Sequence, residues 1–279
     1  VVQQYSVHPV ADPASLRVFL EADRDYTAYA LCDLEPPYVD DTTWYAASAK
    51  GELAAVVMFY SALVPPVLFL SGLLPALDAI LGVGAAPDTV FFTARPETLG
   101  ILKQHYLVKN TSEMLRMTVT SRTFTPLPQV EGAERRIIPL EPRHSASVSD
   151  LLNAAANHDG RDPDDIAFGP EMLEAGTYQG VFINGRLIAA AGTHVIGHRA
   201  GIAALGNVVV HPDFRRQQWG TRIAQAVTGA LLDAGIGTVV LNVAHNNIPA
   251  VRAYRRLGFT AALAFIEGSA CRRFSGASG

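Results

Sequence analysis

Two stretches in the second half of the chain place polar side chains at the ends of apolar runs. The first is Asn207-Val208-Val209-Val210-His211-Pro212-Asp213-Phe214-Arg215-Arg216-Gln217-Gln218-Trp219-Gly220-Thr221. It reads as an apolar strand, a turn holding proline, and a basic polar loop leading into an amphipathic helix with Ile223, Val227, Ala230 and Leu231 at helical spacing. A loop that runs into a helix presents N–H groups with no intrahelical partner and the positive end of the helix dipole. With Arg215 and Arg216 beside it, such a loop is in physical terms a cradle for pyrophosphate. The second stretch carries Asn247, then Tyr254 seven residues on, then Leu257-Gly258-Phe259. On a helix, Asn247 and Tyr254 share one face two turns apart. The phenol is a proton donor for whatever the loop holds, or a core tyrosine whose hydroxyl merely finds a partner. Asn247 serves as a ligand hydrogen-bond partner or as a helix N-cap. The two arginines are equally readable as a solvated basic face, and Trp219 as packing at the helix start. His194, His198, His211 and the His158-Asp159 pair are the candidate proton acceptors, none preferred by position. The strand Ala203 to Val210 carries no carboxylate.

These residues need a scaffold, and the chain writes one twice. Thr43-Trp44-Tyr45 is followed by Lys50-Gly51, and Thr177-Tyr178 by Asn184-Gly185, each glycine eight residues after its threonine. Both dipeptides lie between apolar runs and predict hairpin turns, because glycine accepts a positive φ at no steric cost. In the first half a strand is expected at Val67 to Leu70, a helix at Leu73 to Leu81, a strand at Thr89 to Thr93 and a helix at Pro96 to Tyr106. In the second half the same order is expected: strand Ala203 to Val210, helix Gly220 to Asp233, strand Thr238 to Val243, helix Asn247 to Leu257. The pattern predicts an α/β protein with two tandem lobes, each a mixed twisted sheet flanked by helices. The lobes are expected at 1–122 and 137–279, joined by a linker at 123–136 inside the proline-rich run from Thr123 to Pro142. The loop His211 to Gln218 has no counterpart in the first half.

Composition narrows the function. The 279 residues are 49% apolar and 17% charged, enough for a core in each half. A net charge of −4 and a pI near 6.1 argue against a nucleic-acid partner. The apolar stretch from Leu53 to Leu81 is broken by Pro65, Pro66, Gly72 and Pro75 and predicts no membrane span. Cys32 and Cys271 are far apart and form no metal spacing, which suits reduced thiols. The sequence opens on no charged-then-apolar leader, so a cytoplasmic protein is expected, a monomer or homodimer, without a metal.

The stretch Val208 to Ile223 resembles motif A of the GNAT acetyltransferases, in which a Val-x-Pro strand end precedes Arg/Gln-x-x-Gly-x-Gly/Ala. Asn247, Tyr254 and Leu257-Gly258-Phe259 resemble that family's closing motif. The match covers about Thr177 to Glu267; the first half matches in element order alone, as a degenerate lobe would. One departure is that the family's first loop glycine falls on Gln218, which fits there with a negative φ; Gly220 is retained. The resemblance implies an N-acyltransferase that uses acetyl-CoA, or another acyl-CoA, and a small-molecule amine or amino-acid-like acceptor. It implies that Val208, Val209 and Val210 bond the pantetheine arm and that the backbone of Arg216, Gln217, Gln218, Trp219, Gly220 and Thr221 holds the pyrophosphate, helped by the charges of Arg215 and Arg216. It implies that Asn247 bonds the pantetheine or ties the helix start to the strand. Tyr254 is implied to lie near the thioester and protonate the leaving thiolate. The alternative is a non-catalytic acyl-CoA-binding regulatory module.

Overall fold

The computed structural model describes residues 4–10, 12–83, 86–128, 137–160 and 168–273. The chain divides into two compact units, 1–115 with 263–279, and 116–262. Most of the expected linker, 129–136, lies outside the described residues, and 124–128 form no regular element.

In the first unit, β1 (Ser6–Pro9) precedes two helices, α1 (Pro13–Glu21) and α2 (Ala28–Cys32). The hairpin of β2 (Thr42–Ala49) and β3 (Glu52–Tyr60) turns at Lys50 and Gly51, whose φ values of 54° and 87° are those of a type I′ turn. Then come β4 (Val67–Gly72), α3 (Leu74–Gly82), β5 (Thr89–Ala94) and α4 (Leu99–His105), the last preceded by a 3₁₀ turn at Pro96–Thr98. The expected helix from Pro96 to Tyr106 is thus a 3₁₀ turn followed by a short α-helix, and Tyr106 opens the next strand, β6 (Tyr106–Thr120). The apolar faces of the sheet and of α3 and α4 meet in a core around Val57, Leu70, Leu77, Phe92 and Leu102.

The second unit repeats the plan. β7 (Ile137–Pro139), α5 (Ser145–Asp159) and α6 (Glu171–Ala175) lead to the hairpin of β8 (Gln179–Ile183) and β9 (Arg186–Gly197). Its turn residues, Asn184 and Gly185, have φ of 51° and 77°, again type I′. β10 (Ile202–Val210), α7 (Trp219–Asp233), β11 (Thr238–Ala244), α8 (Ile248–Arg256) and β12 (Thr260–Arg272) complete it. Val148, Leu151, Tyr178, Leu187 and Val209 form the core between α5 and the sheet.

The sheets also match strand for strand. The first unit runs β1-β2-β3-β4-β5-β12 and the second runs β7-β8-β9-β10-β11-β6. In each, the first three pairings are antiparallel and the fourth, β4 with β5 or β10 with β11, is parallel. The last place in each sheet goes to a strand from the other half of the sequence. Ile266 to Cys271 of β12 pairs antiparallel with β5, and Arg116, the start of the second unit's share of β6, bonds Asn242 Oδ1 of β11 at 2.6 Å. The compact units therefore assign 263–279 to the first unit, whereas a cut at the linker leaves those residues with the second.

Candidate functional site

The site begins where two parallel strands part. β10 pairs with β11 over Ile202–Leu205 against Thr238–Leu241, and this pairing goes no further. On its other edge β10 stays paired with β9 as far as Val210 against Ala189, with a register shift between Gly206 and Val209. Asn207 takes φ 50° within that shift. A bulge adds an unpaired residue, bends its strand and sharpens the twist, and asparagine is among the few non-glycine residues that accept the left-handed region. Val208 to Val210 therefore run past the end of the β10–β11 ladder. The notch so formed has the backbone geometry that an added extended chain uses.

The polar loop lies at the far end of the notch. After a 3₁₀ turn at Pro212–Phe214, Arg216 and Gln218 have φ of 63° and 65°. Gln218 thus does not take the negative φ expected of it; it stands in the conformation that a glycine there adopts freely. A left-handed Gln218 followed by the right-handed first turn of α7 directs successive N–H groups into one concavity. The first helical bond across this turn is Arg222 N–H to Gln218 O at 3.0 Å, so the N–H groups of Trp219, Gly220 and Thr221 precede the ladder. A Cβ on Gly220 would lie 3.4 Å from Val210 Cγ2, which measures how closely α7 begins against β10. The two arginines part company. Arg215 makes a two-pronged ion pair with Asp159 of α5, at 2.7 and 3.0 Å. Arg216 is exposed and pairs with no described acidic side chain. Gln217 is exposed, and the Trp219 indole N–H is buried without a partner among the described residues.

Helix α8 starts at Asn247, whose Oδ1 accepts from Ala250 N–H at 3.3 Å and whose own N–H donates to Ala244 O at 2.9 Å. The residue caps the helix and ties its start to the end of β11. Tyr254 is buried, its ring edge-on to Phe259 at 5.8 Å between centroids. Burial pushes the phenol well above its ordinary pKa, so it stays protonated across the neutral range. The Leu257-Gly258-Phe259 run has a mechanical role here. Gly258 has φ 89°, and a Cβ on it would come within 1.8 Å of Thr123 O. The turn it permits sends Phe259 N–H back to Tyr254 O at 3.1 Å and Leu257 O to Thr125 N–H at 3.0 Å.

Among the histidines, His211 is a strut: it is buried, its Nε2 lies 2.6 Å from Arg186 Nη2, and its Nδ1 faces Asp213. His198 is exposed beyond β9, and His158 is exposed on α5. His194 is half-buried on β9 and hydrogen-bonds Asn207, whose Nδ2 donates to Tyr178 Oη at 3.1 Å. Asn207 and Tyr178 stand in the stretches read from the sequence, but no role at the site was expected of either. The available signal was Gly206-Asn207 inside an apolar strand, which marks a bulge.

The matching place in the first unit is closed. Only Leu73 separates β4 from α3, where eight residues separate β10 from α7. Tyr26 Oη donates to Leu70 O of β4 at 2.9 Å and lies 3.4 Å from Thr93 O of β5, filling the parting of those strands. Arg95, paired with Asp23, covers the Tyr26 ring at 4.6 Å.

Residues 146–259 match the model of the acetyltransferase (GNAT) family. No curated protein matches the chain by sequence. Among solved structures, a Drosophila protein superposes with a TM-score of 0.67 at 12% identity, over 95% of this chain and 99% of that one. A GCN5-related N-acetyltransferase from Sphaerobacter thermophilus gives 0.61 at 17% identity, over 96% of each chain. A tandem GNAT protein from the clavulanic acid biosynthesis pathway gives 0.61 at 14% identity, over 96% and 98%. At these identities the likeness is one of fold. Among the described residues no helix is long and apolar enough to cross a membrane, and no three His, Cys, Asp or Glu side chains cluster as metal ligands.

Proposed function

We propose, from the match of residues 146–259 to the model of the acetyltransferase (GNAT) family, that the chain transfers an acetyl or other acyl group from acyl-CoA to a small-molecule amine, with the second unit as the working lobe. The observation that carries this reading is the notch between β10 and β11, which ends at the left-handed turn into α7. The residues suit the ligand. A pantetheine arm is a chain of amides, and Val208 to Val210 offer it a strand edge. The diphosphate of CoA is a compact anion, and the N–H groups of Trp219, Gly220 and Thr221, with Arg216 nearby, offer it hydrogen bonds and positive charge. Arg215 acts on the loop through Asp159, holding its path rather than lending a free charge. Asn247 fixes the start of α8, and Tyr254 supplies a proton to the departing sulfur. Chain N–H groups at the parting of the strands polarise the thioester carbonyl. The reading is tested by calorimetry with acetyl-CoA and by CoA release in the presence of a panel of amines. One site per chain is expected, lost in Gly220→Val, with turnover on at least one amine. Tight binding with no turnover on any amine would instead support the regulatory module.

A further inference from the structure

We propose that His194 is the general base that takes the proton from the acceptor amine, held in register by Asn207 and Tyr178; the proposal rests on the acyltransferase reading above. His194 stands at a register shift of β9 facing Ala204 and Leu205, the last residues before β10 leaves β11. Its ring lies over Gly206, where a Cβ would come within 2.2 Å of Nε2. A side chain at 206 would therefore displace the imidazole, and Gly206 is what lets the ring lie against the strand at the mouth of the notch.

The next residue, Asn207, is turned by its positive φ so that one amide serves two partners. Its Nδ2 donates to Tyr178 Oη, and the Tyr178 hydroxyl is itself directed toward Met172 Sδ at 4.0 Å, which leaves the phenol oxygen as the acceptor. Oδ1, the acceptor of the same amide, is the atom that can receive an imidazole N–H. A bond donated by the ring N–H to the Asn207 carbonyl oxygen favours the charged form of the ring. Tyr178 is fixed in turn: its ring covers Gly192, where a Cβ would lie 2.3 Å away, and meets Phe168 edge-on at 6.0 Å. The line His194–Asn207–Tyr178 thus sets the tautomer and the tilt of the ring from the sheet outward. Burial works against the charged form and holds the imidazole below its usual pKa, so that it is neutral, with a lone pair on its second nitrogen, near pH 7.

A neutral ring is what the chemistry requires. An alkyl amine of pKa about 10.4 is almost wholly ammonium at neutral pH and has no lone pair to give. His194 accepts one ammonium proton and passes it to solvent. The freed lone pair forms the C–N bond at the thioester carbonyl as the C–S bond breaks. Of the two protons then left on nitrogen, one stays on the amide and one is lost to the base, while the sulfur receives one from Tyr254, which is replenished from solvent.

The test uses the full chain, acetyl-CoA and the best amine of the panel, with rates measured across about pH 5–9. His194→Gln should lower kcat/KM by about 10²–10⁴-fold and remove the acid limb of the profile, with acetyl-CoA affinity within about twofold of the parent. Asn207→Asp keeps a residue that tolerates positive φ and places a carboxylate on the ring N–H. It should move the acid limb to higher pH, a shift that a merely structural asparagine would not cause. An unaltered limb in both variants, or His194→Gln within about threefold of the parent, overturns the assignment. If His194→Gln does not fold, the limb in Asn207→Asp decides. Absence of turnover in the parent protein overturns the acyltransferase reading and the base together; turnover indifferent to position 194 overturns the base alone.

Discussion

At the scale of single residues, Tyr254 and Gln218 make opposite demands on the backbone and side chain. Tyr254 is buried with its hydroxyl kept protonated, and its ring is braced by Phe259. A donor that acts as the thioester breaks contributes to the transition state and little to the bound ground state. Tyr254→Phe is therefore expected to lower kcat by about 10²–10⁴-fold while acetyl-CoA affinity holds, because the ring still packs. Full turnover in that variant, measured by CoA release, would make Tyr254 a packing residue. Gln218 matters through its backbone. At φ 65° it bears the steric cost that glycine avoids, and Gln218→Gly should leave acetyl-CoA binding unchanged or tighten it by a few tenths to about 1 kcal/mol. A tenfold loss in calorimetry would show that the glutamine side chain itself touches the ligand.

At the scale of elements, the site depends on how helices and strands begin and end. α8 ends in a turn that only a glycine can make, since Gly258 is left-handed and faces the Thr123 carbonyl. Gly258→Ala is expected to cost about 3 kcal/mol or more, read as a lower denaturation midpoint. A midpoint equal to the parent's would show that the 123–125 segment moves aside freely. The two type I′ hairpins were legible in the sequence because Lys50-Gly51 and Asn184-Gly185 are local signals. The strands and helices after them were legible to within a residue or two for the same reason: hydrophobic period and proline position are local. Arg215 was legible as a cation and not as half of an ion pair, because Asp159 lies 56 positions away in the sequence. His194 was one histidine among several until the bulge at Asn207 and the glycine at 206 gave it a place. Such relations join residues on different strands, and no spacing along one strand encodes them.

At the scale of the whole chain, the boundary between the units is not a single cut. The second unit needs Arg116 to Thr120 on the outer side of β11, where Arg116 is almost wholly buried and bonded to Asn242. A fragment of residues 116–262 is expected to fold cooperatively and bind acetyl-CoA. A fragment beginning at residue 137 lacks that strand, leaves the edge of β11 and Asn242 uncovered, and should melt at lower temperature or aggregate. Equal melting of the two fragments would show that β6 adds nothing to the second sheet.

The strand that closes the first sheet has a consequence for how the protein is made. Ala94 of β5 finds its partner, Ile266, about 170 residues further along the chain, a contact of very high sequence separation that slows folding. While the ribosome is still adding the residues between, β5 has a bare edge that includes Val90 and Phe92, both buried in the finished protein. Chains released early, or stalled before residue 266, present that edge to one another and to chaperones. Maturation of the first half therefore waits on translation of the second.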